Sequence, residues 1–239
     1  MSETLQATTD APSGAWRTAV VREAAHPTER TVVLRLDVTD RVVHLPGQHY
    51  VVRLTADDGY TASRSYSVAS APGDPLVELC VERLDDGEVS SYLADVVEVG
   101  DELEVRGPIG GWFAWDGVTP VLAIGGGTGV VPLVAMLRHA RAIDRPDLVC
   151  LVAAARTATD LPYADEAMGG CNLVALSREA TPSRPAGRLT AADLAPHVVG
   201  RELFFVCGSA VFAEAVSRML VELGVDVARV RVERFGPTG

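Results

Sequence analysis

Val121-Leu122-Ala123-Ile124-Gly125-Gly126-Gly127-Thr128-Gly129-Val130-Val131-Pro132 decides the fold. Four apolar residues without polar alternation read as a strand covered on both faces. The glycines that follow leave bare backbone N–H groups, and Pro132 fits an early helical position, where a missing N–H costs little. Strand, glycine turn and helix make the opening unit of a sheet that binds a phosphate-bearing ligand. No Lys-Ser or Lys-Thr follows, so this is not a P-loop. Nor is it a full G-x-G-x-x-G, since Val130 stands where the third glycine would fall, counted from Gly125. The plainer alternative is a glycine-rich tight turn.

Downstream, strands and helices alternate. Apolar runs at Leu148–Ala153, Asn172–Leu176 and Glu202–Cys207 predict strands, with a last one over Arg229–Glu233. Helices are expected at Val131–Arg141, near Leu161–Met168 and near Ala191–Ala195. Phe212, Val216, Met219, Leu220 and Leu223 repeat at helical spacing and predict one more. Such alternation implies a doubly wound, five-stranded parallel sheet. Upstream, the period is two. Val32, Leu34, Leu36 and Val38 share one face of Thr31–Val38, with Arg35 and Asp37 on the other. Further strands are expected at Trp16–Arg22, Tyr50–Thr55, Arg64–Ala69, Leu76–Arg83 and Asp101–Arg106, with one helix near Ser90–Val96. Six short strands separated by turn signals suggest an antiparallel barrel. Expected units are therefore a lead-in over 1–14, polar and disordered, a barrel over 15–116 and an α/β domain over 117–239.

A chain of 239 residues can bury a sizeable core without staples. Its net charge of −11 disfavours nonspecific binding to nucleic acid or anionic lipid. The N-terminus lacks the basic start and apolar run of a signal peptide, and no stretch reads as a membrane span. Cys80, Cys150, Cys171 and Cys207 show no metal-ligand spacing, and read as reduced thiols in a cytoplasmic protein. No metal is expected.

Arg64-Ser65-Tyr66-Ser67 offers a cation, a phenol and hydroxyls within four residues. Strand alternation sets Arg64 and Tyr66 on one side and Ser65 and Ser67 on the other. Alone, this is a surface arginine beside a half-buried tyrosine. Gly87-Glu88-Val89-Ser90 opens the helix of the barrel half. Ser90 is placed to act as its N-cap, and the first N–H groups make an anion site. Cys207-Gly208 ends an apolar strand, where ligands of open parallel sheets bind, although a buried strand cysteine is the simpler reading.

The ordered set is more specific than its members. Pro46-Gly47-Gln48, Arg64-Ser65-Tyr66-Ser67, Gly87–Leu93, Gly107-Pro108-Ile109-Gly110, Gly127-Thr128-Gly129-Val130-Val131-Pro132, Cys207-Gly208 and Glu233-Arg234-Phe235 span residues 46–235. Together they resemble the ferredoxin–NADP+ reductase family of flavoproteins. That resemblance implies FAD on the barrel, held by Arg64, Ser65, Tyr66, Ser67, Gly87, Val89, Ser90 and Phe235, with Ser67 near flavin N5. It implies NADP(H) or NAD(H) on the sheet, at Gly127, Thr128, Gly129, Pro132, Cys207 and Gly208. Ser177, Arg178 and Arg188 stand where the family's NADP(H) users bind the ribose 2′-phosphate, which leans the reading towards NADPH, and Arg156, after the second strand, is a further phosphate or ribose candidate. Glu179 is placed to take a free 2′-hydroxyl instead. Ser67, Cys207 and Glu233 would tune hydride transfer. Core packing of Phe235 is nearly as good a reading, because Gly236–Gly239 continues past it. Trp112 and Phe113 are expected to pack between the domains.

The implied activity is an NAD(P)H-dependent reductase that passes electrons through FAD to a separate redox protein, such as a ferredoxin or an oxygenase component. A free flavin or ferric reductase, or a flavin-binding electron-transfer subunit of a larger complex, are the alternatives.

Overall fold

A computed structural model describes residues 14–235. The lead-in expected over 1–14 lies outside the described residues except for Gly14, as does the tail 236–239. The first six strands are β1 (Trp16–Thr28), β2 (Thr31–Val38), β3 (His49–Thr55), β4 (Thr61–Ser67), β5 (Val77–Glu82) and β6 (Glu102–Ile109). Helix α1 (Glu88–Asp95) lies between β5 and β6. These strands form an antiparallel sheet in the order β4-β3-β6-β1-β2-β5. It is closed by a bridge from Val68 to Leu79, so that β4 and β5 meet at one seam.

The barrel forms because alternation puts one face of each strand indoors. Val32, Leu34, Leu36, Val52, Val77, Leu79, Val81, Leu103 and Val105 are all buried in its core. Val89 and Leu93 of α1 join them, so the helix plugs the barrel beside the seam. Outward residues pair instead: Arg22 meets Asp37, and Arg35 meets Glu23. β1 runs six residues beyond its predicted end, through bulges that keep it paired with β2.

The second sheet has parallel order β11-β10-β7-β8-β9. Its strands are β7 (Val121–Gly126), β8 (Val149–Ala155), β9 (Leu173–Leu176), β10 (Leu203–Ser209) and β11 (Val230–Phe235), with helices α2 (Val131–Ala142), α3 (Ala191–Val198) and α4 (Ala210–Glu222). The central strands read as unbroken apolar runs because both faces are covered. Ala123, Leu151 and Phe205 pack with Leu133, Val134 and Leu137 of α2. Leu122, Ile124, Val152, Phe204 and Val206 pack with Leu194 of α3 and Val216 and Leu220 of α4.

One predicted helix is absent. Leu161–Met168 forms successive turns rather than a helix. Pro162 removes a donor, and Tyr163 takes a left-handed φ of 61°, which no α-helix accommodates. The segment is held by side chains instead. The Tyr163 hydroxyl donates to Glu78 of β5 at 2.8 Å.

That glutamate is the hub of the contact between barrel and sheet. Arg138 of α2 pairs with Glu78 at 2.8 Å, with Glu166 at 2.6 Å, and donates to the carbonyl of Ala69 at 3.0 Å. Beside it, Val131 of α2 packs on Ala69 and Cys80. The loop from β6 to β7 adds two ties: Trp115 N–H donates to Pro46 O at 2.9 Å, and the Phe113 ring meets Phe205 edge-on at 5.1 Å. Gly47 is required below this loop. Its φ is 96°, and a Cβ there would stand 2.2 Å from Phe113 O.

Replacing Arg138 by Met would leave the Glu78 carboxylate, whose side chain is only 11% exposed, with the Tyr163 hydroxyl as its donor and Arg35 Nε at 3.7 Å. The expected cost is about 3 kcal/mol, the low end for a broken buried pair, because Arg138 keeps some water contact. Urea unfolding of the variant should show a lowered midpoint of that size, whereas Arg22→Met, at an exposed pair, should leave it within about 0.5 kcal/mol.

Candidate functional site

The barrel side of the site is built on β4 and α1. Tyr66 and Arg64 share a face of β4, opposite Tyr50 and Val52 of β3, while Ser65 and Ser67 take the other face. Tyr66 leans on the barrel core, and its hydroxyl is buried without a hydrogen-bond partner. Burial raises the phenol above its ordinary pKa. Arg64 is exposed and donates only to its neighbour's carbonyl, Ser63 O, at 2.8 Å. Ser67 is buried at the end of β4, in register with His49.

Gly87 is the N-cap of α1, and no side chain caps the helix. The expectation for Ser90 is thereby corrected. Its hydroxyl donates to Gly87 O and accepts from Leu84 N–H, both at 3.2 Å, so it ties the preceding turn together. Ser90 sits inside the first turn, too far along to reach forward to the donors a cap would serve. A Cβ on Gly87 would strike its Oγ at 2.2 Å, which accounts for glycine there. The helix α1 thus opens from a glycine with no side chain capping it, beside β4 and β5.

The sheet side is built where β7, β10 and β11 end together. Cys207 is in register with Gly125 on one side and Glu233 on the other. Gly127–Val130 winds as a single 3-10 turn between β7 and α2, with Gly127 at φ 57°. Gly129 passes so close to β10 that a Cβ would lie 2.3 Å from Cys207 O. Pro132 sits in the first turn of α2, as its missing donor demands. The Thr128 hydroxyl reaches across to the barrel and donates to Glu82 of β5 at 2.8 Å. So the glycine turn faces the barrel.

Charge at this junction is held down by burial. Glu233 Oε2 is buried and unpartnered, and desolvation pushes the carboxyl pKa up to about 7. The Cys207 thiol is raised by its own burial and then by the Glu233 charge, so it is a neutral packing group rather than a nucleophile. Phe235 pairs in register with Ser209 and packs half-buried against the core that holds Cys207 and Phe113. Phe113 indeed packs between barrel and sheet. Trp112 does not: it is 66% exposed, with Arg231 over its ring at 5.6 Å.

The ends of β8 and β9 carry the remaining candidates. Arg178 N–H donates to Arg156 O and Ser177 N–H to Ala155 O, so these residues form one edge. Arg156, Arg178 and Arg188 are exposed, and Ser177 is half-buried. Glu179 is already engaged, accepting from Ala158 N–H at 2.5 Å. Sequence reasoning missed Glu78, Glu82, Arg138 and Tyr163. Glu78, Cys80 and Glu82 alternate along β5 as an outward face would, and nothing in that pattern shows that a second sheet covers it.

Residues 20–113 match the model of the oxidoreductase FAD-binding domain, so the barrel is an FAD-binding domain. A ferredoxin–NAD(P)+ reductase component of naphthalene 1,2-dioxygenase/salicylate 5-hydroxylase systems from a Ralstonia species is 27% identical, over 92% of this chain and 68% of that protein. The glycine betaine monooxygenase reductase subunit of Pseudomonas aeruginosa is 31% identical, over 81% of this chain and 56% of that protein. The chain spans between about half and two thirds of the curated relatives it matches. The flavohem-like FAD/NAD-binding domain of nitric oxide dioxygenase from Vibrio cholerae superposes with a TM-score of 0.82 at 28% identity, covering 92% of this chain and 99% of that one. Motif order, a barrel followed by a parallel sheet, and these likenesses lead to one conclusion: the chain belongs to the ferredoxin–NADP+ reductase-like family of FAD-containing oxidoreductases.

Proposed function

We propose that this protein is an NAD(P)H-dependent reductase that delivers electrons to a separate redox protein, such as an oxygenase component or a ferredoxin. Residues 15–116 would hold FAD and residues 117–239 the nicotinamide nucleotide. The observation that carries the reading is the junction itself. An uncapped helix, an exposed guanidinium and an orphaned phenol lie on the barrel, and a glycine turn meets the barrel from the sheet at Glu82 of β5. Both halves have the chemistry that a dinucleotide requires: N–H groups and a cation for its phosphates, and an apolar surface for its ring. The relatives named as reductase or electron transfer components of oxygenase systems support the partner class. The four free cysteines support a cytoplasmic location. Among the described residues, no helix is long and apolar enough to cross a membrane.

FAD, when bound, accepts hydride from the nicotinamide and releases electrons onward. The chain's own residues then do five things. Arg64 and the α1 N-terminus, with Gly87, Val89 and Ser90, bind the flavin diphosphate. Tyr66, Ser65, Ser67 and Phe235 position the ring. Gly127, Thr128, Gly129, Pro132 and Gly208 let the nucleotide approach the backbone, and Cys207 shapes the seat of its ring without reacting. Glu233 holds a proton near neutral pH at the reacting edge.

Removing the Arg64 side chain by R64A should weaken FAD retention about 10- to 100-fold, the worth of a charge-assisted bond. Flavin release, followed by its recovered fluorescence, reads this directly; unchanged release would remove Arg64 from the site. For Glu233, the folded pKa of about 7 lies above the ordinary value of 4.5. The neutral carboxyl is therefore favoured in the fold, and its contribution is complete below pH 4.5 and lost as pH rises to about 7. A Glu233→Gln variant keeps a neutral group throughout. Its melting temperature should gain on that of the parent across this window, and the pH profile of nucleotide-driven flavin reduction should flatten near 7.

Nucleotide choice follows from the β8–β9 edge. Three exposed arginines and a carboxylate already tied to Ala158 N–H favour a 2′-phosphate over a free 2′-hydroxyl. The kcat/KM for NADPH should exceed that for NADH, and Arg178→Ala should lower the first about tenfold while sparing the second.

A further inference from the structure

Hydride transfer uses the C-terminal ends of the parallel strands. The opposite end of the same sheet holds a second cluster of reactive side chains. Cys150 is the second residue of β8, and Cys171 precedes β9. β8 and β9 pair from Val152 and Leu173 onward, and just ahead of that pairing Cys150 Sγ donates to Cys171 O at 2.6 Å, which brings the two cysteines together. Asn172 Oδ1 accepts from Leu151 N–H at 2.9 Å and holds the two segments together.

The groups around the two sulfurs differ in a useful way. Cys171 is exposed, with Arg201 Nη2 at 3.7 Å from its Sγ. It opens onto a cleft of about 210 Å3 lined by Leu137, Arg141, Met168 and Asn172. Cys150 is buried, donates to Cys171 O at 2.6 Å, and lies 3.5 Å from His197 Nδ1 of α3. Burial lowers the His197 pKa, which keeps that ring neutral and able to take a proton. One sulfur is thus accessible beside a cation, and the other waits beside a base. Cys80 and Cys207 have neither arrangement; burial raises the thiols of Cys80, Cys207 and Cys150 alike, and it is Cys150 that has a histidine nitrogen against its sulfur.

We propose that Cys171 and Cys150 form a peroxide-reactive thiol pair, in which Cys171 is oxidised first and Cys150 closes a disulfide onto it. In the first step the Cys171 thiolate attacks hydrogen peroxide. An S–O bond forms, the O–O bond breaks, and hydroxide leaves to become water with the thiol's proton. In the second, His197 takes the Cys150 proton as that sulfur attacks Cys171. The S–S bond forms, the S–O bond breaks, and the departing hydroxide collects the proton as water. The balance is two thiols and one peroxide to one disulfide and two waters. The product staples the β8–β9 edge at the end remote from the nucleotide.

The test exposes the FAD-loaded protein to one equivalent of hydrogen peroxide, alkylates remaining thiols and maps peptides by mass. Two of the four free thiols should disappear, a peptide linked through Cys150 and Cys171 should appear, and dithiothreitol should restore both. Cys150→Ser should stop at a sulfenic acid on Cys171, trapped by dimedone. Cys171→Ser, a change at an exposed position, should keep its remaining thiols under the same dose. The proposal is overturned by oxidation at Cys80 or Cys207 ahead of Cys171, by sulfinic acid on Cys171 with Cys150 still free, or by no thiol loss. None of these readouts depends on turnover.

Discussion

The ion pair between Glu78 and Arg138 fixes where the two sheets stand. One partner is on the barrel strand β5 and the other on α2, the helix that the glycine turn leads into. Desolvating two charges is costly, and the site offsets that cost by giving each charge several partners. Tyr163 and Arg138 both donate to Glu78, while Glu166 and the Ala69 carbonyl accept from Arg138. Such a network acts as a register pin: it tolerates one docking of barrel on sheet. Through α2 it also aims the glycine turn, which adds its own bond from Thr128 to Glu82. The chemistry proposed for the junction needs two ring systems brought to contact distance, and a chain can supply that only if its halves do not slide.

Much of this architecture was legible in the residues. Val32, Leu34, Leu36 and Val38 announced an inward face, and the unbroken run Val121–Ile124 announced a strand covered on both sides; the structure has both. The glycine turn was legible for a steric reason, since Gly129 runs against Cys207 O and only glycine fits. What escaped was whatever depends on a second body. Glu78 reads as solvated from its strand period, yet it is 8% exposed, because α2 lies over it. Leu161–Met168 carried helical spacing, but Pro162 and the left-handed Tyr163 break it, and Tyr163 is more use as a donor to Glu78. Ser90 carried cap chemistry at the right distance from a helix, one turn too late.

The junction also shows how a parallel sheet gathers unlike groups at one place. Gly125, Cys207 and Glu233 are far apart in sequence and share one level of the sheet. The strand order alone sets a bare backbone, a soft packing sulfur and a carboxyl side by side. Burial then selects their charge states, holding both acids towards neutrality. The chemistry proposed for the junction would thus run over a floor whose acids burial holds towards neutrality.

The barrel closes through a single bridge, Val68 to Leu79, with α1 lodged beside the gap. Elsewhere its strands are zipped along their length. A stave missing over most of a cask leaves its hoops slack, and whatever is slipped into the opening tightens the whole vessel. FAD held on this barrel would share the load of folding, so that sturdiness becomes a function of how much cofactor is supplied.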